Sequence, residues 1–221
     1  MNFYPVILNL ENRNVVVIGG GTVAHRKVVD LIRNKAQVTV ISPKVCYELH
    51  TLSMKESHVL QLKVRPYTYG DLENASLVFS TTDDRTTNEN VAKEAHEKNI
   101  WINTVDDPEN CSFYVPAMIQ KGDLLVAVST CGSSPAMASR VKSELEQHIP
   151  QDIEYDLNTL RTLRELLKDD ESFQGLTSSD RGEILKTIAH DDDLLDDLQL
   201  QEKSELLKIL QEISEEILLT E

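Results

Sequence analysis

Asn14-Val15-Val16-Val17-Ile18-Gly19-Gly20-Gly21-Thr22-Val23-Ala24 is the stretch on which the fold turns. It opens with a nearly continuous β-branched run that suits a strand buried on both faces. Gly19, Gly21 and Ala24 then satisfy G-x-G-x-x-A, and residues 23–34 carry apolar side chains at helical spacing. A glycine loop between a strand and a helix start has a physical use. The first glycine permits a tight turn, the second lets the backbone approach a pyrophosphate, and Ala24 lets the helix pack closely. The helix-start amides at Thr22 and Val23 bring partial positive charge to the phosphates. The sequence therefore predicts a dinucleotide site at Gly19, Gly21, Thr22, Val23 and Ala24.

Outward from that loop, strand-like runs at 38–41, 60–64, 77–81 and 101–105 alternate with helical patterns, including one at 88–98. This is the signature of βαβ units, and it predicts an α/β fold with a Rossmann-like, doubly wound parallel sheet. The usual fingerprint adds an acidic residue about 20 positions on to hold the ribose hydroxyls. Here the second strand ends Ile41-Ser42-Pro43-Lys44 instead. Pro43 and Lys44 are read as cofactor contacts. Lys44 would suit the extra phosphate of NADP, whereas backbone and Ser42 could hold a plain ribose, so these residues leave NAD and NADP both open. Thr81-Thr82-Asp83-Asp84 falls at the carboxyl edge of the sheet, where ligands of open α/β folds bind, and assigns Thr82 and Asp83 to the cofactor.

After Asp106 the texture changes. A turn at Lys121-Gly122-Asp123 precedes the strand 124–128, so pairing there is expected to be local. Ser134 is placed to cap a helix with Pro135 at its first position, running to about residue 147. From residue 152 onward Leu, Ile and acidic residues recur at helical spacing, with breaks at 172–179 and 190–193. The expected organisation is a dinucleotide-binding domain over 1–112, a small α+β region over 113–150 and an acidic helical domain over 151–221. Charge marks the last boundary. Of a net charge of −15, residues 151–221 carry −13, from 20 acidic and 7 basic side chains. Polyanions are attracted by clustered Lys and Arg, so neither nucleic acid nor an anionic membrane surface is expected as a partner. No apolar run approaches the roughly 20 residues that span a bilayer, and no secretory leader is evident, which points to the cytoplasm. Cys46, Cys111 and Cys131 lack C-x-x-C spacing and suggest neither a disulfide framework nor a zinc site.

Taken together, residues 17–27, Thr81-Thr82-Asp83-Asp84, residues 103–108, Ser112-Phe113 and residues 126–135 resemble the precorrin-2 dehydrogenase family. The motifs fall in family order over residues 3–150. That family includes stand-alone dehydrogenases, dehydrogenase/ferrochelatases and the N-terminal module of siroheme synthase. This chain is too short for the methyltransferase module of siroheme synthase. The resemblance implies a Rossmann domain, a central dimerisation region and a helical C-terminal domain, assembled as a homodimer. It implies NAD as cofactor and oxidation of precorrin-2 to sirohydrochlorin, with a hydride passing to NAD and a proton lost. Asp106 matches the family's proposed catalytic aspartate, a general base just past the fifth predicted strand. Asp107 is its nearest competitor, and an ordinary Asp-Asp-Pro turn is the alternative use of both.

Precorrin-2 is a polycarboxylate, so an acidic protein must meet it with local donors. Ser129, Thr130 and Ser134, with the following helix start, are read as substrate-binding, and His148 joins them as the best functional candidate among the histidines. Siroheme synthases have a regulatory phosphorylated serine where Thr130 stands, and the resemblance does not carry that modification to a threonine. No histidine forms a ligand cluster, so no metal site is assigned. Two other readings stand beside the dehydrogenase: a sirohydrochlorin ferrochelatase, alone or as a second activity, and a non-catalytic NAD-sensing module.

Overall fold

The computed structural model describes residues 3–218. They divide into two units: residues up to Val115 together with Cys131–Ser133, and Pro116–Thr130 together with the chain from Ser134 onward. The acidic helices thus share a unit with most of the segment expected as a separate α+β region.

The first unit is the Rossmann-like fold that the opening motif predicts. Strands β1 (Asn14–Ile18), β2 (Gln37–Ile41), β3 (Leu60–Lys63), β4 (Leu77–Ser80) and β5 (Trp101–Thr104) form one sheet in the order β3-β2-β1-β4-β5. All four pairings are parallel. Helices α1 (Thr22–Arg33), α2 (Tyr47–Lys55) and α3 (Arg85–Glu97) supply the crossovers. β1 is central, and its unbroken apolar run has a direct cause. Val15 and Val17 pack with Ala24, Val28, Leu31 and Leu49 of α1 and α2. Val16 and Ile18 pack on the other face with Val91, Ala92 and Ala95 of α3. Each such side chain, once fully buried, contributes about 1.5–3 kcal/mol. Sequence periodicity did not reveal α2, a short helix in which Leu49 alone is buried.

The connection from β3 to β4 is irregular and is ordered by charge. Arg65 grips Asp71 with two parallel bonds, Nη1 to Oδ2 at 2.6 Å and Nη2 to Oδ1 at 2.5 Å, and the Thr68 amide donates to Oδ2 at 2.9 Å. Glu94 of α3, fully buried, accepts from the Gly70 and Leu72 amides at 3.0 and 3.3 Å, from Lys98 Nζ at 2.9 Å and from the Tyr67 hydroxyl. A buried carboxylate is tolerated only when its oxygens are satisfied in this way.

The second unit begins with an antiparallel hairpin, β6 (Ala117–Lys121) and β7 (Leu124–Val128). Gly122, at φ 52°, makes its turn, and a Cβ there would stand 2.8 Å from Cγ of Glu154. Helix α4 (Pro135–Glu146) packs against both strands. Its N-cap is Ser134, whose side chain accepts from the Met137 amide, with Pro135 at the first position as the sequence predicts. Helices α5 (Ile153–Asp169), α6 (Ser178–Ala189), α7 (Asp192–Gln199) and α8 (Lys203–Leu218) enclose a core of Leu163, Leu167, Ile184, Ile188, Leu198 and Leu210. The breaks expected around 172–179 and 190–193 separate α5, α6 and α7, with Thr177 and Asp180 forming a reciprocal capping box. A further break at 200–202, between α7 and α8, has no glycine or proline to announce it. Among the described residues no helix is long and apolar enough to cross a membrane.

The Arg65 guanidinium holds the Asp71 carboxyl down at about 2, against the raising effect of burial, with Thr68 assisting. A depressed folded pKa means stability present above the ordinary carboxylate range and lost as pH falls through about 2. With Arg65 partly exposed, the interaction contributes about 1–2 kcal/mol. Asp71→Asn is expected to lower the unfolding free energy by that amount at neutral pH. Chemical denaturation should show the gap to wild type closing as pH falls from about 4 toward 2.

Candidate functional site

Where a parallel sheet reverses its strand order, the flanking loops part and leave a crevice at the carboxyl ends. Here that point lies between β1 and β4. Three hydrogen bonds carry the ladder past the strand ends: Gly19 N–H to Ile41 O at 3.0 Å, Thr81 N–H to Ile18 O at 2.7 Å and Val105 N–H to Ser80 O at 2.9 Å. They set Gly19, Thr81 and Val105 in a row along one edge, roughly 5 Å from one strand to the next.

The three glycines of the loop do different things. Gly19 has φ 115°, and a Cβ there would meet Thr81 Oγ1 at 2.6 Å. Gly20 is crowded more severely, since its Cβ would stand 2.1 Å from the Lys44 carbonyl oxygen. The Gly20 carbonyl accepts from the Cys46 amide at 2.8 Å, and Ser42 Oγ donates to Lys44 O at 2.7 Å, so the 42–46 turn is folded onto the loop. Ser42 is buried, while Pro43 and Lys44 are exposed. Gly21 is the opposite case, with nothing within 4 Å of its would-be Cβ. It caps α1 without a side-chain hydrogen bond, and the first turn of the helix holds no acidic residue. The uncapped helix start, with Thr22 exposed and Val23 partly so, therefore offers its first amides beside an open Gly21 with the helix dipole behind them, an arrangement that fits a pyrophosphate. Ala24 is fully buried against the sheet.

The loop after β4 is organised by a residue that the sequence reading passed over. Asn88, buried in α3, accepts from Ser80 Oγ at 2.7 Å and donates to the Thr82 carbonyl at 3.0 Å. Asp84 caps α3, accepting from Thr86 N–H, and Thr82 Oγ1 accepts from Asp84 N–H at 3.1 Å. Thr82 is partly exposed and Asp83 exposed at the crevice edge. A polar residue on the inward face of α3 facing a serine at a buried strand end was the legible signal.

Asp106 sits two residues past β5 with φ 58°, in the left-handed region that Asp and Asn tolerate best among residues with side chains. It is exposed. Asp107 Oδ2 instead accepts from Asn110 Nδ2 at 2.6 Å. Cys111 ties the turn together. Its Sγ accepts from Thr104 N–H at 3.2 Å and lies 3.2 and 3.3 Å from the carbonyls of Thr104 and Asp107. Burial pushes this thiol up, Thr104 opposes and Asp107 adds to the rise, so it stays a neutral donor.

In the second unit Thr130 Oγ1 both donates to the Ser134 carbonyl and accepts from the Ser134 amide, each at 3.0 Å. Ser129 is exposed and Thr130 and Ser134 partly so, at the N-terminal end of α4. His148 lies beyond the other end, about 18 Å along the helix, where its Nδ1 is 2.8 Å from Glu144 O. The structure thus brings Ser129, Thr130 and Ser134 together and sets His148 apart from them. Among the described residues no cluster of His, Cys, Asp and Glu could hold a metal ion.

Residues 6–117 match a family model described as "Putative NAD(P)-binding". The chain is 40% identical over 152 residues to a siroheme synthase of Nitrosospira multiformis, and 41% identical over 150 residues to one of Thioalkalivibrio sulfidiphilus. Each alignment takes in 68% of this chain but 32% and 30% of those proteins, so the chain spans about a third of the curated relatives it matches. Among solved structures, SirC, a precorrin-2 dehydrogenase, superposes with a TM-score of 0.73 at 26% identity, covering 96% of this chain and all of that one.

Gly20 and Gly21 separate folding from binding. Gly20→Ala is expected to lower stability by about 1–3 kcal/mol through its collision with Lys44 O. Gly21→Ala, with room around it, should leave the melting temperature within a few degrees of wild type. Its methyl group occupies the approach to the α1 amides, so NAD affinity by calorimetric titration should fall at least tenfold.

Proposed function

The chain belongs to the NAD(P)-binding family matched over residues 6–117, and from that premise we propose that it oxidises precorrin-2 to sirohydrochlorin with NAD in siroheme synthesis. The observation that carries this reading is the carboxyl edge of the sheet. One row there holds an uncapped helix start suited to a pyrophosphate and, past β5, an exposed carboxylate on a pinned turn. The siroheme synthases and the precorrin-2 dehydrogenase to which the chain is similar supply the substrate class.

Bound NAD would supply the hydride acceptor. The backbone at Gly19 and Gly21 and the amides of Thr22 and Val23 would hold its pyrophosphate, with Ala24 packing the helix close behind them. Pro43 and Lys44 would border the ribose, and Thr82 and Asp83 would meet the cofactor on the β4 side of the crevice. Oxidation removes a hydride and a proton from the substrate, and the protein must receive the proton. Asp106 is assigned that step, its carboxylate Oδ taking the proton as general base. Asp107 is the weaker candidate because Asn110 already engages its Oδ2. Cys111 and Asn110 keep the Asp106 turn in its left-handed conformation. Ser129, Thr130, Ser134 and His148 are assigned to the substrate's carboxylates. A cytoplasmic homodimer is the proposed working form.

Asp106→Asn is the decisive variant, because asparagine accepts φ 58° as readily as aspartate and the turn survives. It should bind NAD like wild type and lose at least a hundredfold in turnover, followed as NADH formation and the sirohydrochlorin spectrum. Near-normal turnover of the purified variant would remove Asp106 from the mechanism. Absence of turnover in wild type, with NAD bound, would leave a sensing module.

A further inference from the structure

Lys27 combines two features: its ammonium meets no carboxylate among the described residues, and its side chain is partly buried against an aromatic ring. Lys35, Arg65, Arg85 and Lys98 each meet a carboxylate within 3.2 Å. Among the described residues Lys27 meets none. Asp30, one turn further along α1, pairs with Arg33 at 3.8 Å. The Lys27 side chain is instead half-buried, with Nζ 5.5 Å from the centre of the Phe79 ring. Burial pushes its amine below the ordinary lysine value, Asp30 opposing and Arg26 adding. A ring face offsets part of the desolvation of an ammonium, but it leaves the N–H donors without oxygen acceptors. Those donors can serve an anion from outside.

Its place in the fold says which anion. Phe79 lies in β4 between Val17 of β1 and Asn103 of β5. The Phe113 ring meets it edge-on at 5.5 Å, and the Phe113 carbonyl accepts from Asn103 Nδ2 at 3.0 Å. Asp106 follows Asn103 by three residues. Strands about 4.8 Å apart and a rise of about 3.3 Å per residue put Lys27 Nζ roughly 10–15 Å from Asp106. Lys27 is also one turn inside α1 from Ala24, behind the uncapped helix start to which the pyrophosphate is assigned. The cofactor's phosphates have those amides; a substrate bearing carboxylates around a large ring reaches further.

We propose that Lys27 is a substrate-binding residue whose ammonium takes one peripheral carboxylate of the tetrapyrrole while Asp106 meets the ring, an inference that rests on the precorrin-2 reading above. It adds to the first unit a recognition element for the class of ligand that an acidic protein attracts least.

Lys27→Met keeps the aliphatic stem against Phe79 and removes only the charge, and Lys27→Arg restores a cation. Binding of sirohydrochlorin and of NAD to the full chain, each titrated by absorbance or fluorescence, is the test. A charge-assisted hydrogen bond corresponds to about tenfold or more in affinity. Lys27→Met should therefore bind sirohydrochlorin at least tenfold more weakly and show a higher KM for precorrin-2, with NAD binding unchanged and Lys27→Arg near wild type. Equal sirohydrochlorin affinity in wild type and Lys27→Met overturns the assignment, as does a loss confined to NAD. A wild-type protein that binds no sirohydrochlorin overturns the precorrin-2 reading itself, a result independent of the variants.

Discussion

Between Gly20 and the carbonyl of Lys44 there is no room for a methyl group, and most of what the first unit does follows from that close approach. The 42–46 turn lies flat on the glycine loop because the loop has no side chain to hold it off. Cys46, donating to the Gly20 carbonyl, also begins α2, so one hydrogen bond fixes the phosphate loop and the start of the next crossover. The remaining loop backbone has no choice of path. It turns at Gly19 through a conformation closed to other residues and arrives at Gly21 with no side chain capping the first amides of α1.

A second constraint is the satisfaction of buried polar groups at the strand ends. Each carboxyl terminus in the row is tied off by a neighbour: Ile41 by Gly19, Ile18 by Thr81, Ser80 by Val105. Asn88 and Cys111 do for the β4 and β5 loops what the 42–46 turn does for β1. A site built on such pinned ends keeps its spacing without a ligand, as a reaction that needs two groups at fixed separation requires. Asp106 holds a positive φ at the one turn to which a reacting group is assigned.

Legibility in the sequence followed physical range. The Rossmann sheet was plain because β1 is buried on both faces and reads as a continuous apolar run, and because Gly19, Gly21 and Ala24 sit at fixed offsets from it. Ser134 and Pro135 announced α4 for the same local reason. Gly20 looked like a spacer because its constraint comes from Lys44, a residue 24 positions away that only folding brings near. Asn88 and Cys111 were hidden likewise, since a polar residue within a helix and a lone cysteine gain meaning from partners on other elements. α2 escaped because one buried leucine makes no periodicity. Lys27 lies within the 17–27 motif, but its setting comes from Phe79, a residue of another strand that only folding brings beneath it.

The division of the chain into units has a consequence for its birth. The first unit is not contiguous: residues up to Val115 are joined by Cys131–Ser133, after the hairpin has been spelled out. A ribosome making this protein from its N-terminus adds the whole parallel sheet before it adds the last three residues of that unit. The sheet can pair early, yet the unit closes only after the strands of its neighbour have emerged. No single cut in the backbone separates the two, so a gene split after residue 115 yields a nucleotide fold lacking its final segment. Anyone dividing this protein for reuse of its parts would have to rewire it, moving residues 131–133 onto the first piece.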